Sequence, residues 1–491
     1  MPVPALMIAA PASGSGKTVV TLGLLRHLRD RGVAVAVASA KSGPDYIDPA
    51  FHAAASGRAC VNLDAWAMRP QTLDALAARQ AEGADLLIVE AAMGLFDGAP
   101  GPGSVGDGSA ADLAARFGWP VVLVLDAGGQ GFSAAAVLAG FKGFRDDVRI
   151  AGVIFNRVGS ARHEAILRRA AEHAGLPVLG FVPRLPALAL PSRHLGLVQA
   201  GEHAALEAFL AAAGEVVGAG VDVEVLKQVA PMSPPSPRGR GVGGGGSSRG
   251  SDASGLGSAI GVVPDEPDRN PSIDNPLPLP PSRKGRGDSE GFVVPPLGQR
   301  IAVAGDTAFA FAYPHLLAAW REAGAEILPF SPLADEAPDA DADAVYLPGG
   351  YPELHARRLA GNRRFLDGLR AAAGQGRAIY GECGGYMVLG TGLTDSDGNR
   401  HAMAGLLPVE TSFAERRLHL GYRRAALAAA TPLGPAGAVW RGHEFHYASI
   451  LSEGPGEALF EAWDAEGEPL GRLGRRAGSV FGSFFHLIDR A

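Results

Sequence analysis

Short apolar runs alternate with amphipathic segments over two long stretches of this chain. In the first, residues 5 to about 220, ALMIAA (5–10), VAVAVA (33–38), DLLIVE (85–90), VVLVLD (121–126), AGVIFN (151–156) and VLGFVP (178–183) predict strands. TVVTLGLLRHLRD and HEAILRRAAEHA, with apolar residues at helical spacing, predict helices between them. The strand segments are apolar without interruption rather than at every second position. Both of their faces are therefore expected to be buried, as in a mostly parallel sheet covered by helices.

The second stretch repeats the style. IAVAG (301–305), EILPF (326–330), AVYLPG (344–349) and AIYGE (378–382) predict strands, followed by VWRGHEFHY (439–447) and SVFGSFFHL (479–487). Between the two, Pro, Gly, Ser and Arg dominate and core-forming residues are few, with a weak internal echo in PPSPRGRG (234–241) and PPSRKGRG (280–287). Such a segment buries too little surface to offset its ordering entropy and is expected to be a disordered linker. The expected organisation is an α/β domain over 1–225, a linker over 226–298 and a second α/β domain over 299–491.

With 491 residues the chain exceeds one ordinary core, which agrees with two domains. A net charge of −7 without a dense basic stripe argues against nucleic acid as a main partner. Two cysteines in unrelated contexts, Cys60 and Cys383, speak against a disulfide framework and a cysteine-based metal site. The apolar runs are too short to span a bilayer, and Met-Pro-Val-Pro lacks the basic residues that open a secretory signal. A cytoplasmic protein without membrane contacts is expected.

Two motifs carry chemistry. PASGSGKT (11–18) follows a predicted strand and opens a predicted helix, the context of a P-loop NTPase. Its backbone amides, from Ser13, Gly14, Ser15 and Gly16, can close around phosphate oxygens, while Lys17 reaches the outer phosphates and the Thr18 hydroxyl faces Mg²⁺. Pro11 stands where the first Gly is usual. Carboxylates at the ends of neighbouring strands are the expected metal ligands: Asp45 and Glu90 first, Asp48 and Asp97 as candidates for substrate activation, Asp126 as a weaker one.

The other motif, IYGE–Cys383–GGYMVL, reads as strand, sharp turn and helix. A cysteine there is expected to be exposed at a helix N-terminus, with its thiolate stabilised and amides near Gly384 ready for an oxyanion. LPGGYPE (347–353), ending another strand, offers Gly349 and Gly350 as the second half of that oxyanion hole. A base is needed, and His443, His446 and His486 compete, with His486 favoured.

Together these residues resemble the cobyrinic acid a,c-diamide synthases, including the form acting on hydrogenobyrinic acid. KSGPDYIDPAFHAAASGR, CVNLDAW, VEAAMGLFDG, FNRVGS, RHLGLV, IAVAGDTAFAFAYP, LPGGYPE, YGECGGYMVLG, GHEFHY and the terminal FFHL carry the likeness in order. The linker lies outside it. The resemblance implies a domain like dethiobiotin synthetase joined to a class I, triad-type glutaminase domain, with ATP, Mg²⁺, glutamine and a corrinoid precursor as its small molecules. A homodimer is left open. It also implies Cys383 as nucleophile, His486 as its partner and Asn156 against the adenine. The triad of such glutaminases has a Glu two residues after its His, where this chain has Ile488; Asp489 and Glu444 are the acids left as substitutes. The rival readings are amidation of other ring carboxylates, as in cobyric acid synthase, and a P-loop ATPase switch carrying an inactive glutaminase-like domain.

Overall fold

The first sheet has seven strands, all parallel, in the spatial order Val61–Leu63, Val37–Ser42, Leu86–Glu90, Ala5–Ala9, Val121–Asp126, Ile150–Val158 and Val178–Pro183. The computed structural model describes residues 3–30, 36–188, 192–193, 196–197, 199–203, 205–230 and 294–491. Helices Lys17–Asp30 and Leu206–Gly220 pack together on one face of this sheet. The central strands are buried except at Asp126, as their apolar sequences require. The linker reading falls on residues outside the described ones, apart from 226–230 and 294–298.

One register differs from expectation. The second strand runs over Val37–Ser42 rather than ending at residue 38, because Lys41 and Ser42 pair into the sheet and are as buried as their apolar neighbours. Lys41 lies opposite Glu90 on the adjacent strand, so KSGPDYIDP begins on the sheet and only its later residues form the loop.

The second sheet has ten strands, in the order Glu326–Phe330, Arg300–Ala304, Ala344–Leu347, Ala378–Glu382, Val480–Ser483, Pro469–Ala477, Glu457–Trp463, His419–Leu427, Val439–His446 and His486–Arg490. The first five are parallel and the rest pair antiparallel. The antiparallel extension was only partly legible, since HLGYRRAAL and PLGRLGRRA carry Arg and Gly where a core strand would be apolar. It brings the last strand, with His486, back to the mouth of the parallel part.

The two halves meet through polar and aromatic contacts. The Asp489 carboxylate accepts from Thr72 Oγ1 (2.6 Å), the Arg69 amide (2.9 Å) and the Arg69 guanidinium (2.9 Å). Trp66 stacks on Tyr422 with ring centroids 4.5 Å apart, and the Arg441 guanidinium lies over Trp66. Asp489 is buried and fully engaged at this junction. Asp489→Ala is expected to cost about 3 kcal/mol of stability, because it strands several buried donors. Denaturant unfolding checks the loss, and an unchanged glutaminase turnover at low temperature would separate this structural role from a catalytic one.

Candidate active site

The phosphate loop has the shape its sequence requires. Gly14 and Gly16 adopt φ of +77° and +91°, which a side chain resists. Ser15 Oγ donates back to the Ala12 carbonyl at 2.8 Å, closing the loop. A Cβ on Gly16 would lie 2.0 Å from Asn156 Nδ2, so Gly16→Ala is expected to distort the loop and abolish ATP binding, measurable by calorimetric titration. Asn156 itself donates from Nδ2 to the Ser15 carbonyl at 2.9 Å. In this state its amide is spent on the loop rather than turned toward an adenine. Beside it, Arg157 pairs with Asp126 and donates to the Gly14 carbonyl at 3.0 Å. Asp126, expected as a weak metal candidate, is a strut of the loop instead.

Behind the loop lies an acid cluster with a lysine at its centre. Thr18 Oγ1 donates to Glu90 Oε1 at 2.8 Å and lies 3.4 Å from Asp48 Oδ2. Lys41 Nζ, buried, contacts Asp48 Oδ2 at 2.5 Å and Glu90 Oε1 at 2.8 Å. Burial alone would push the Glu90 carboxyl up, but Lys41 and His52 hold it well below the usual carboxylate range. Burial and neighbouring Asp45 push Asp48 up to about 7 against the pull of Lys41. Asp45 has another duty: its Oδ1 accepts from the amides of Ile47 (2.8 Å) and Asp48 (3.1 Å), fixing the turn into helix Asp48–Ser56. It is thus Asp48, at the start of that helix, that joins Thr18 and Glu90. Asp97 is exposed and accepts from the Gly94 amide at 2.7 Å, outside the cluster. Lys17 Nζ donates to the Met93 carbonyl at 2.5 Å.

The sequence reading missed Lys41 and His52. His52 Nε2 lies 2.7 Å from Glu90 Oε2, and its Nδ1 lies 3.6 Å from Cys60 Sγ. Burial would lower its pKa, yet contacts with Cys60 and Glu90 raise it to about 10. A lysine near the end of a buried strand was the available signal for Lys41; His52, on a helix one turn past Asp48, gave none.

In the second half, Cys383 occupies a strained turn, φ +46° and ψ −103°, between strand Ala378–Glu382 and helix Gly384–Leu389. Backbone strain of this kind marks sites where the surrounding structure holds a side chain in place. The expected exposure is not found: Cys383 is buried, and burial pushes its thiol pKa up despite a hydrogen bond from the Gly384 amide. The helix is only six residues long, and desolvation outweighs its end. Gly349 lies against both partners, since a Cβ there would sit 2.5 Å from His486 Cε1 and 3.4 Å from Cys383 Cβ. The Gly350 amide nitrogen lies 3.0 Å from where a Cβ on Gly384 would project, so the two glycine turns adjoin.

Of the three histidines, His486 lies against Gly349, which also adjoins the cysteine. It is fully buried, and neither ring nitrogen makes a hydrogen bond among the described residues. Burial, reinforced by His443 and His446, holds its pKa well below the ordinary value. His443 Nε2 lies 2.7 Å from the Tyr46 hydroxyl and 2.9 Å from the Tyr313 hydroxyl. His446 Nδ1 lies 3.0 Å from the Ala448 carbonyl, and its ring stacks on Phe484. Tyr46 comes from KSGPDYIDP and packs on His486 with centroids 4.7 Å apart. One loop of the first half therefore carries Asp48 toward the phosphate loop and Tyr46 into the wall of the cysteine site.

Residues 6–198 match the CobQ/CobB/MinD/ParA nucleotide binding domain, and residues 300–490 match the CobB/CobQ-like glutamine amidotransferase domain. Among curated proteins, the chain is 53% identical over 488 residues to the hydrogenobyrinate a,c-diamide synthase of Brucella abortus biovar 1, covering 98% of each chain. It is 52% identical to those of a Sinorhizobium species, with 99% of each chain covered, and of Rhodobacter capsulatus, with 98% of each covered. Among the described residues, no helix is long and apolar enough to cross a membrane. With both halves matched and relatives this similar along their whole length, the chain belongs to the hydrogenobyrinate a,c-diamide synthase family.

Proposed function

We propose that the chain uses ATP and glutamine to convert the a- and c-carboxylates of hydrogenobyrinate to amides. One observation carries this reading beyond the likeness to its relatives. A phosphate loop with its acid cluster and a cysteine–histidine pair share one wall, the loop bearing Asp48 and Tyr46. A carboxylate is inert to ammonia until activated, so each half supplies what the other lacks.

In the second half, Cys383 Sγ attacks the side-chain amide carbon of glutamine while His486 Nε2 takes the thiol proton. The oxyanion is held by amides at Gly350 and Gly384, with Gly349 leaving room for the ring of His486. The proton passes to the departing nitrogen, ammonia leaves, and water hydrolyses the thioester to glutamate. In the first half, the amides of residues 13–16 and the Lys17 ammonium hold the ATP phosphates. A substrate carboxylate attacks the γ-phosphorus, ADP leaves, and ammonia displaces phosphate from the acyl phosphate to give the amide. Two rounds give the diamide.

The oxygen set at Thr18, Asp48 and Glu90 fits Mg²⁺, a hard cation that takes part of its shell from water and phosphate. Bound there it would neutralise charge developing on the phosphates. Supplying hydrogenobyrinic and cobyrinic acids separately, with ATP and glutamine, and weighing the products tests the reading. A product lighter by about 2 Da, the change for two acid-to-amide conversions, is expected from the cobalt-free ring. No amidation of either ring despite ATP turnover would overturn it.

A further inference from the structure

The acid that completes the cysteine–histidine pair is missing from its usual place, where Ile488 is packed in the core. Neither substitute named from the sequence fills the gap. Asp489 is bound to Thr72 and Arg69 at the junction of the halves. Glu444 accepts from Arg423 Nε at 2.7 Å, and the nearest histidine to it is His446, at 4.0 Å, rather than His486.

A third carboxylate faces His486. Glu382 is the residue before the cysteine, at the end of strand Ala378–Glu382, and is fully buried. Its Oε2 lies 3.8 Å from His486 Nδ1. The carboxylate is fixed from three sides: Oε2 accepts from the Tyr346 hydroxyl (2.8 Å), and Oε1 accepts from the Tyr380 hydroxyl (2.8 Å) and the Leu487 amide (3.2 Å). The Leu487 bond ties it to the residue next to His486 itself. On the far side of the ring, Cε1 and Nε2 face Gly349, which also adjoins Cys383.

We propose that Glu382 is the positioning residue of the glutaminase site, holding the His486 proton on Nδ1 and leaving the Nε2 lone pair for the Cys383 thiol. This rests on the reading of Cys383 and His486 as the catalytic pair. As Sγ gives up its proton to Nε2, the ring becomes an imidazolium whose Nδ1–H donates to Glu382. The 3.8 Å separation of the carboxylate from the neutral imidazole closes to a hydrogen bond when the imidazolium forms, as catalytic contacts commonly tighten on the reaction path. No proton reaches the carboxylate. The end of strand Ala378–Glu382 makes the arrangement possible: Glu382, just before the elbow, meets the backbone beside His486 through the Leu487 amide. Burial pushes Glu382 up to about 7 against the pull of the two phenols and the Leu487 amide. The other ionisable groups recorded around this cluster are Cys383, Glu353, Glu444, Tyr46, Tyr313, His443 and His446.

Glu382→Gln keeps the shape and removes the charge. The full chain is assayed for glutamine hydrolysis and, separately, for amidation fed by ammonia. Glutaminase kcat is expected to fall about 100-fold with little change in KM for glutamine. This is less than the roughly 10,000-fold loss when a triad acid already hydrogen-bonded to its histidine is removed, because this contact is 3.8 Å. The acid limb of kcat/KM moves to lower pH, because the imidazole has lost its anion, and ammonia-fed amidation stays at the wild-type rate. Glu382→Asp, which keeps the charge on a shorter arm, is expected to retain the wild-type limb and lose about tenfold in kcat. An unchanged kcat and acid limb in Glu382→Gln, or wild-type turnover in Glu382→Asp, would overturn the proposal while Cys383→Ala is inactive. Glutamine hydrolysis surviving in Cys383→Ala would instead remove the reading on which it rests.

Discussion

Cys383→Ala is expected to reduce glutamine-dependent amidation by about 10,000-fold or more while leaving ammonia-dependent amidation intact. The size follows from the covalent route: without Sγ no thioester forms, and the remaining amides and His486 have no bound nucleophile to assist. The selectivity follows from the architecture. Cys383 is buried in the second half, on a strand end that packs against its own sheet, and it makes no contribution to the phosphate loop or the acid cluster. Removing one sulfur from a site with a glycine on each side changes little volume, so folding is not expected to suffer. The assay follows product mass with glutamine or an ammonium salt as nitrogen donor. Equal loss with both donors would mean that Cys383 supports the synthetase chemistry, and the division of labour between the halves would fall.

Much of this molecule was legible because its decisive features are local. A strand, a glycine turn and a helix in sequence specify a phosphate loop, and the same grammar specifies the elbow at Cys383. The sequence favours His486 over His443 and His446 only weakly. In the fold His486 adjoins Gly349, as Cys383 does, whereas His443 and His446 are engaged by the Tyr46 hydroxyl and the Ala448 carbonyl. What stayed hidden depends on long-range register. Lys41 becomes the centre of the acid cluster only because its strand pairs in register with Glu90, and nothing within KSGPDYIDP says so. Asp45 and Asp48 are equally placed in sequence, but the first turns the chain and the second faces Thr18. Tyr46 meets His443 across nearly four hundred residues. The exposure of Cys383 was misjudged because an elbow lifts a side chain out of its strand, while here it packs among apolar residues of the second half.

Lys41→Ala is expected to destabilise the nucleotide-free protein by about 3–5 kcal/mol, the cost of leaving buried carboxylates without their counter-charge. Lys41 is the shared cation of Asp48 and Glu90. Glu90 keeps His52 after the substitution, so the deficit falls mainly on Asp48. The pH dependence has a definite sign. Asp48 already has its folded pKa raised, to about 7, and removing Lys41 raises it further. A carboxyl whose folded pKa lies above its unfolded one contributes stability below the unfolded value, and that contribution is lost as pH rises through the folded one. The variant's deficit is therefore small near pH 4 and grows through about pH 7 and above, where an ionised Asp48 has no partner. Mg²⁺ with nucleotide should restore much of the loss, because a divalent cation then faces the same oxygens. Thermal melts of wild type and variant across this pH range, with and without Mg²⁺ and a non-hydrolysable nucleotide, read all three effects. A variant that melts like wild type at high pH without ligand would show that Lys41 does not hold the acid cluster. A deficit that Mg²⁺ and nucleotide leave untouched would place the metal elsewhere than Thr18, Asp48 and Glu90.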